Sequence, residues 1–128
     1  MARNRARDAA VPITPANIRI DSVTLDDDDR AVIRRKTRTR FARFGRAVER
    51  VTVRIRDVNG PRGGVDIECR IKVVLSRLPS VVAERRAKNF EGAFGGALAA
   101  ASRAVSQAVR RRRMRPIKAT RSRRGSAV

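Results

Sequence analysis

Histidine is missing from this chain, and cysteine occurs once. The first absence removes the commonest general base, the commonest metal ligand and the side chain that titrates near neutral pH. A lone thiol, Cys69, permits no internal disulfide and no cysteine-based zinc site. Both features fit a reducing cytoplasm. Tryptophan and tyrosine are also absent, and four phenylalanines are the whole aromatic content. Acids are scarce: 12 Asp and Glu stand against 32 Lys and Arg, so 128 residues carry a formal charge of +20. The longest small-apolar run, GAFGGALAAA, falls far short of the roughly 20 residues a membrane span needs. The opening MARNRARDAAVPITP has charge but no apolar core, so it does not read as a secretory signal.

What remains is a basic chain of one-domain length. A compact fold with this excess of positive charge repels itself, and a polyanion is the usual relief, nucleic acid first. The composition predicts a mobile tail over residues 1–15 and a folded domain over 16–110. A cationic tail over 111–128 is too poor in apolar residues to pack and is expected to be disordered.

Inside the domain the hydrophobic periods alternate between two and 3.6. Ile18 and Ile20 alternate with Arg19 and Asp21, a short strand. Thr24 and Asp26 to Asp29 then supply helix-start chemistry. Ile33, Thr37, Phe41, Phe44 and Val48 recur as one helical stripe, with Arg35, Arg38, Arg43 and Arg46 roughly opposite and Arg34 and Lys36 flanking. Val51, Val53 and Ile55 alternate with Thr52, Arg54 and Arg56, and Val65 to Val73 alternate apolar and polar without a break, giving two strands. The glycine-rich DVNGPRGG between them predicts a hairpin. SRLPS breaks the chain before VVAERRAK, a weaker strand expected to pair with its predecessor. Asn89 reads as the cap of a last helix whose stripe is Phe90, Phe94, Leu98, Ala101, Val105 and Val109, with Arg103 and Arg110 opposite. Gly92, Gly95 and Gly96 weaken its first turns by about 1 kcal/mol each unless close packing requires them.

The order β-α-β-β-β-α predicts an α+β fold, a four-stranded sheet with both helices on one face, similar to double-stranded-RNA-binding-like folds. The helices would present Arg35, Arg38, Arg43, Arg103 and Arg110 as a ridge of guanidinium groups suited to phosphate. All four phenylalanines fall on core stripes, which leaves none to stack on bases, so recognition of folded RNA through backbone and shape is expected. Gly60-Pro61-Arg62-Gly63 matches the GxxG of one RNA-binding fold, but that loop joins two helices, and here strands flank it. The run Asp26–Asp29 is better explained by helix-start chemistry than by a metal, because adjacent carboxylates on a helix diverge. Asp66, Glu68 and Glu84 form no convincing acid–base pair. No catalytic residue, metal, cofactor, small-molecule substrate or membrane contact is therefore expected.

The order of elements, RFGRAVERVTVRIRD, the hairpin DVNGPRGGVDIECRIKV and the alanine-rich basic last helix resemble the short form of the ribosome hibernation-promoting factor family. That family includes the ribosome-associated inhibitor and is also called sigma-54 modulation protein. The resemblance spans about residues 17–112. Its most specific piece is the run D-x-N-G-P-R-G-G-x-D-x-x-C-R from Asp57 to Arg70. It implies a cytoplasmic stress and stationary-phase protein, monomeric off the ribosome. Such a protein docks on the small ribosomal subunit and its ribosomal RNA, covers the mRNA and tRNA sites and inhibits translation. Carried onto this chain, the RNA contacts fall on Arg34, Arg35, Lys36, Arg38, Arg43 and Arg46, and on Arg103, Arg110 and Arg111. Arg62 at the loop tip is a further candidate. Where many members have Tyr-Ala-Ala-Ile-Asp at the start of the last helix, this chain has Glu91 to Gly95, EGAFG. Basic positions farther along are Ala100 and Gln107. Two alternatives stand beside this reading: a general RNA- or DNA-binding protein of nucleoid type, and a transcription regulator acting through protein–protein contact.

Overall fold

A computed structural model describes residues 17–59 and 65–127. The tail over 1–15 and Arg62 with its loop tip lie outside the described residues. The elements are β1 (Ile18–Asp21), α1 (Asp27–Phe41), a 3₁₀ segment (Ala42–Ala47), β2 (Val48–Asn59), β3 (Val65–Leu75), β4 (Leu78–Ala87) and α2 (Phe90–Ala127). The fold is α+β with the expected order β-α-β-β-β-α. Its four strands form one mixed sheet in the order β1-β2-β3-β4. β1 pairs parallel to β2, while β2–β3 and β3–β4 are antiparallel hairpins.

Strict alternation sends one side chain in two beneath the helices. Registered rows cross the sheet on that side: Ile18–Val51–Val73–Val81, then Ile20–Val53–Ile71–Ala83. Val51, Val53, Ile71 and Val73 have no exposed surface. From α1 come Ile33, Thr37 and Phe41, and from α2 come Ala93, Phe94, Ala97, Leu98, Ala101 and Val105, all buried. Truncating a fully buried Ile such as Ile71 to Ala costs about 2–5 kcal/mol.

Caps and breaks explain where the helices begin and end. Asp26 is the cap of α1: its carboxylate accepts from the Asp29 backbone N–H at 2.8 Å. The helix ends at Phe41, earlier than the five-residue stripe predicts. Phe44 lies in the 3₁₀ segment and Val48 opens β2. The cause is Gly45, whose φ of 55° and ψ of −126° form a conformation that L side chains avoid. Asn89 caps α2 as expected, its side-chain oxygen accepting from the Gly92 backbone N–H at 2.8 Å. The helical backbone of α2 continues to Ala127, through the stretch for which composition predicts a disordered tail.

The second hairpin is tighter than its sequence suggests. Leu75 pairs with Leu78, leaving a Ser76–Arg77 turn with Arg77 in the left-handed region at φ 64°. Pro79 therefore lies within β4, which is tolerable because β4 is an edge strand. Close packing accounts for one of the glycines in α2, Gly92, whereas Gly96 has only an ordinary contact with a flexible side chain. A Cβ on Gly92 would meet the Ala87 Cβ at 3.0 Å, and one on Gly96 would meet the Arg85 Cγ at 3.4 Å. Around Gly95 there is open space.

Candidate nucleic-acid interface

Helix α1 runs beside α2 on the sheet, and the seam between them gathers charge. Arg35, Lys36, Thr39 and Arg40 of α1 face Leu98 of α2 across a depression of about 390 Å³. A second depression, of about 210 Å³, is bounded by Arg43, Phe44, Ser106, Val109 and Arg110. Between the two, the Arg43 guanidinium donates to the Ser102 hydroxyl at 3.4 Å, joining residues 59 apart in sequence. The same guanidinium lies over the Phe44 ring, 4.7 Å from its centre, a cation–π contact that restrains it beside the seam. Phe44 is thus half core and half groove wall, rather than a core residue alone.

Helical spacing decides which of the predicted contacts share this groove. Arg35, Lys36, Arg43 and Arg110 do. Arg34 and Arg38 sit on the flank of α1 that turns away from Leu98. Arg46 is exposed just beyond the Gly45 bend. Arg103 is exposed on the outer stripe of α2, one and two turns from the groove's Ser106 and Arg110. Arg111 lies 100° farther round the helix than Arg110 and away from the seam. Arg40 is a groove residue that reasoning from the face opposite the core missed. Its signal was its position one turn after Lys36 and on the same flank.

Electrostatics separates the groove from the rest of the surface. Among the described residues Arg35, Lys36, Arg40, Arg43 and Arg110 have no acidic partner, because the ion pairs lie on the sheet. The groove is therefore a set of uncompensated guanidinium and ammonium groups, and one of them, Arg43, is fixed in place through Phe44 and Ser102. Such an arrangement can bind phosphate oxygens with fork geometry and little reordering.

The groups that could carry other chemistry are occupied structurally. Burial pushes the Cys69 thiol up to about 12, which leaves it protonated and unreactive near neutral pH. Glu68 is held below the usual carboxylate range, first by its hydrogen bond from Arg56 at 2.6 Å. Arg86 flanks it from the other side at 3.3 Å. Among the described residues no three His, Cys, Asp or Glu side chains gather into a metal-sized cluster. No described helix is long and apolar enough to cross a membrane. In comparison with known proteins, no family model matches the chain and no curated protein is significantly similar to it.

Proposed function

We propose that this chain is a non-enzymatic, cytoplasmic ribosome-binding protein of the hibernation-promoting type. It docks the α1–α2 groove on small-subunit ribosomal RNA and blocks the mRNA and tRNA channel. One observation carries the reading: α1 with its adjoining 3₁₀ segment and α2, far apart in sequence, bring to one seam five cations with no acidic partner among the described residues. The β-α-β-β-β-α order and the run from Asp57 to Arg70 support it through the family resemblance. Phosphate contacts of this kind make binding steeply salt-dependent, with log affinity falling against log salt by roughly 0.7–0.9 per phosphate. The protein is expected to co-sediment with small subunits from stationary-phase cells at low salt and to inhibit translation in a purified system. Recovery only in ribosome-free fractions, or a flat salt response, removes the reading.

A second reading, a general RNA- or DNA-binding protein, draws on the basic continuation of α2 past Arg110. Deleting residues 111–128 separates the two. Retained subunit binding favours the groove, and loss of all binding favours the continuation.

A further inference from the structure

The helical face is one cationic surface, and the described residues form another. The other is the open face of the sheet, which no helix among the described residues covers. On it the registered rows are Arg19–Thr52–Lys72–Val82 and Asp21–Arg54–Arg70–Glu84. Arg19, Asp21, Thr52, Arg54, Arg70 and Lys72 line a depression of about 460 Å³. Thr52, the shortest uncharged side chain of the set and half-buried, forms its floor between Arg19 and Lys72.

Two features of this depression are unusual for a face that serves stability alone. Arg54 and Arg70 stand directly opposite each other on neighbouring strands, a like-charge pair that weakens a sheet. The acids nearby do not cancel the charge. Asp21 pairs with Arg54 at 3.2 Å, and Glu84 lies in register with Arg70 without forming an ion pair. Arg19, Arg70 and Lys72 are exposed and have no acidic partner among the described residues. Rows on one face of a strand repeat about every 7 Å, which presents the cations as a stepped track instead of a single point.

We propose that this open sheet face is a second RNA-binding surface, taking a phosphodiester backbone across Arg19, Arg54, Arg70 and Lys72. The domain then lies between two RNA segments, one in the helical groove and one on the sheet. Sheets that read single-stranded RNA do so with aromatic side chains that stack bases. Here every phenylalanine lies in α1, the adjoining 3₁₀ segment or α2, so the sheet face holds phosphates and is indifferent to sequence.

Lysine reactivity tests this directly, because the two faces carry one lysine each: Lys36 in the groove and Lys72 on the sheet, both exposed. The full chain is acetylated with and without deproteinised small-subunit ribosomal RNA, and with polyglutamate as an acidic polypeptide for comparison. Protection of Lys72 by RNA is the expected result. Protection of Lys36 alone overturns the second surface and leaves the groove reading standing. Protection of Lys72 alone upholds the second surface and overturns the groove. Lys72 protected by polyglutamate but not by RNA assigns the face to an acidic protein and overturns the proposal. Arg70→Gln provides a binding readout in a chain that still folds, since it removes the like charge opposite Arg54 and places none opposite Glu84. It is expected to weaken RNA binding about tenfold and to reduce the salt slope by close to one contact's worth. Unchanged affinity and slope in that variant count against the proposal.

Discussion

The helical groove and the open sheet face are both basic, but their charge is organised differently. In the groove the cations have no acidic partner among the described residues, and packing on Phe44 and the Ser102 hydroxyl immobilises one of them. On the sheet, cations and acids interleave, and every ion pair among the described residues is found there or at the edge of β4. Charge that is uncompensated is available to a partner. Charge that is paired first serves the fold, and only the remainder can bind. The contrast implies that removing groove cations damages binding and spares stability, whereas removing sheet acids damages stability first.

The largest test of that contrast is charge reversal in the groove. Arg35→Glu with Arg43→Glu removes two phosphate contacts and adds two repulsions. Binding to small subunits is expected to fall by about 100-fold or more, with the salt slope reduced by roughly 1.4–1.8. The melting temperature should fall only slightly: neither residue forms an ion pair among the described residues, and the one structural loss is Arg43's contact with Ser102 and the Phe44 ring. A variant that melts early without losing affinity would reverse the assignment of roles.

The matching test on the sheet is Glu68→Gln. Glu68 is almost completely buried (7% side-chain exposure) on a face that is otherwise solvent-exposed, because Arg56 and Arg86 cover it. Losing its charge-assisted hydrogen bonds is expected to cost about 1.5–3 kcal/mol in denaturant unfolding. The pH dependence follows from the lowered carboxyl. Its stabilisation is fully present above the unfolded value of about 4.3 and is lost as pH falls through the lower folded value. The wild-type chain should therefore lose stability through that acid window, and Glu68→Gln should lose less. Equal acid sensitivity in the two proteins would show that other carboxylates dominate.

How much of this was legible in the sequence depends on the kind of information involved. Periods of two and 3.6 gave every strand and both helices, because alternation in Val51–Ile55 and Val65–Val73 translates directly into a buried face. The end of α1 falls earlier than the spacing predicts. A stripe continues through Phe44 and Val48 on paper, whereas Gly45 adopts a conformation that no apolar spacing encodes. The groove was half legible. A helical wheel identifies residues opposite the core, which is why Arg35 and Arg43 were found. Which flank meets the neighbouring helix is decided by packing, so Arg40 was missed and Arg34 and Arg38 were placed with it. The arginines of the strands were visible as the polar half of an alternation. Their assembly into one trough depends on register between strands, which a single sequence does not state.

A smaller test lies directly beneath the groove. The Thr37 hydroxyl is fully buried in α1 and has no hydrogen-bond partner among the described residues. Thr37→Val keeps the shape and removes the unsatisfied oxygen, so it is expected to stabilise the fold by about 1 kcal/mol. RNA affinity should not change, because the side chain points into the core and away from the cations. A loss of stability would mean that the hydroxyl has found a partner in solution.

The smallest effect distinguishes the glycines at the start of α2 and, through them, how closely α2 must approach the sheet. Gly95→Ala meets open space and exchanges a flexible residue for the best helix former, so a gain of about 0.5–1 kcal/mol is expected. Gly92→Ala gains the same propensity but places a methyl 3.0 Å from the Ala87 Cβ, a fixed atom that cannot swing aside. The N-terminal turn of α2 must then shift, and the propensity gain is offset or reversed. Gly96→Ala falls between the two, since its neighbour is the flexible Arg85 side chain. The expected order of thermal stability is thus Gly95→Ala above Gly96→Ala above Gly92→Ala. If all three gain equally, α2 does not need these glycines to reach the sheet. In that case the height of the groove above the core is set by Leu98 and Ser102 instead.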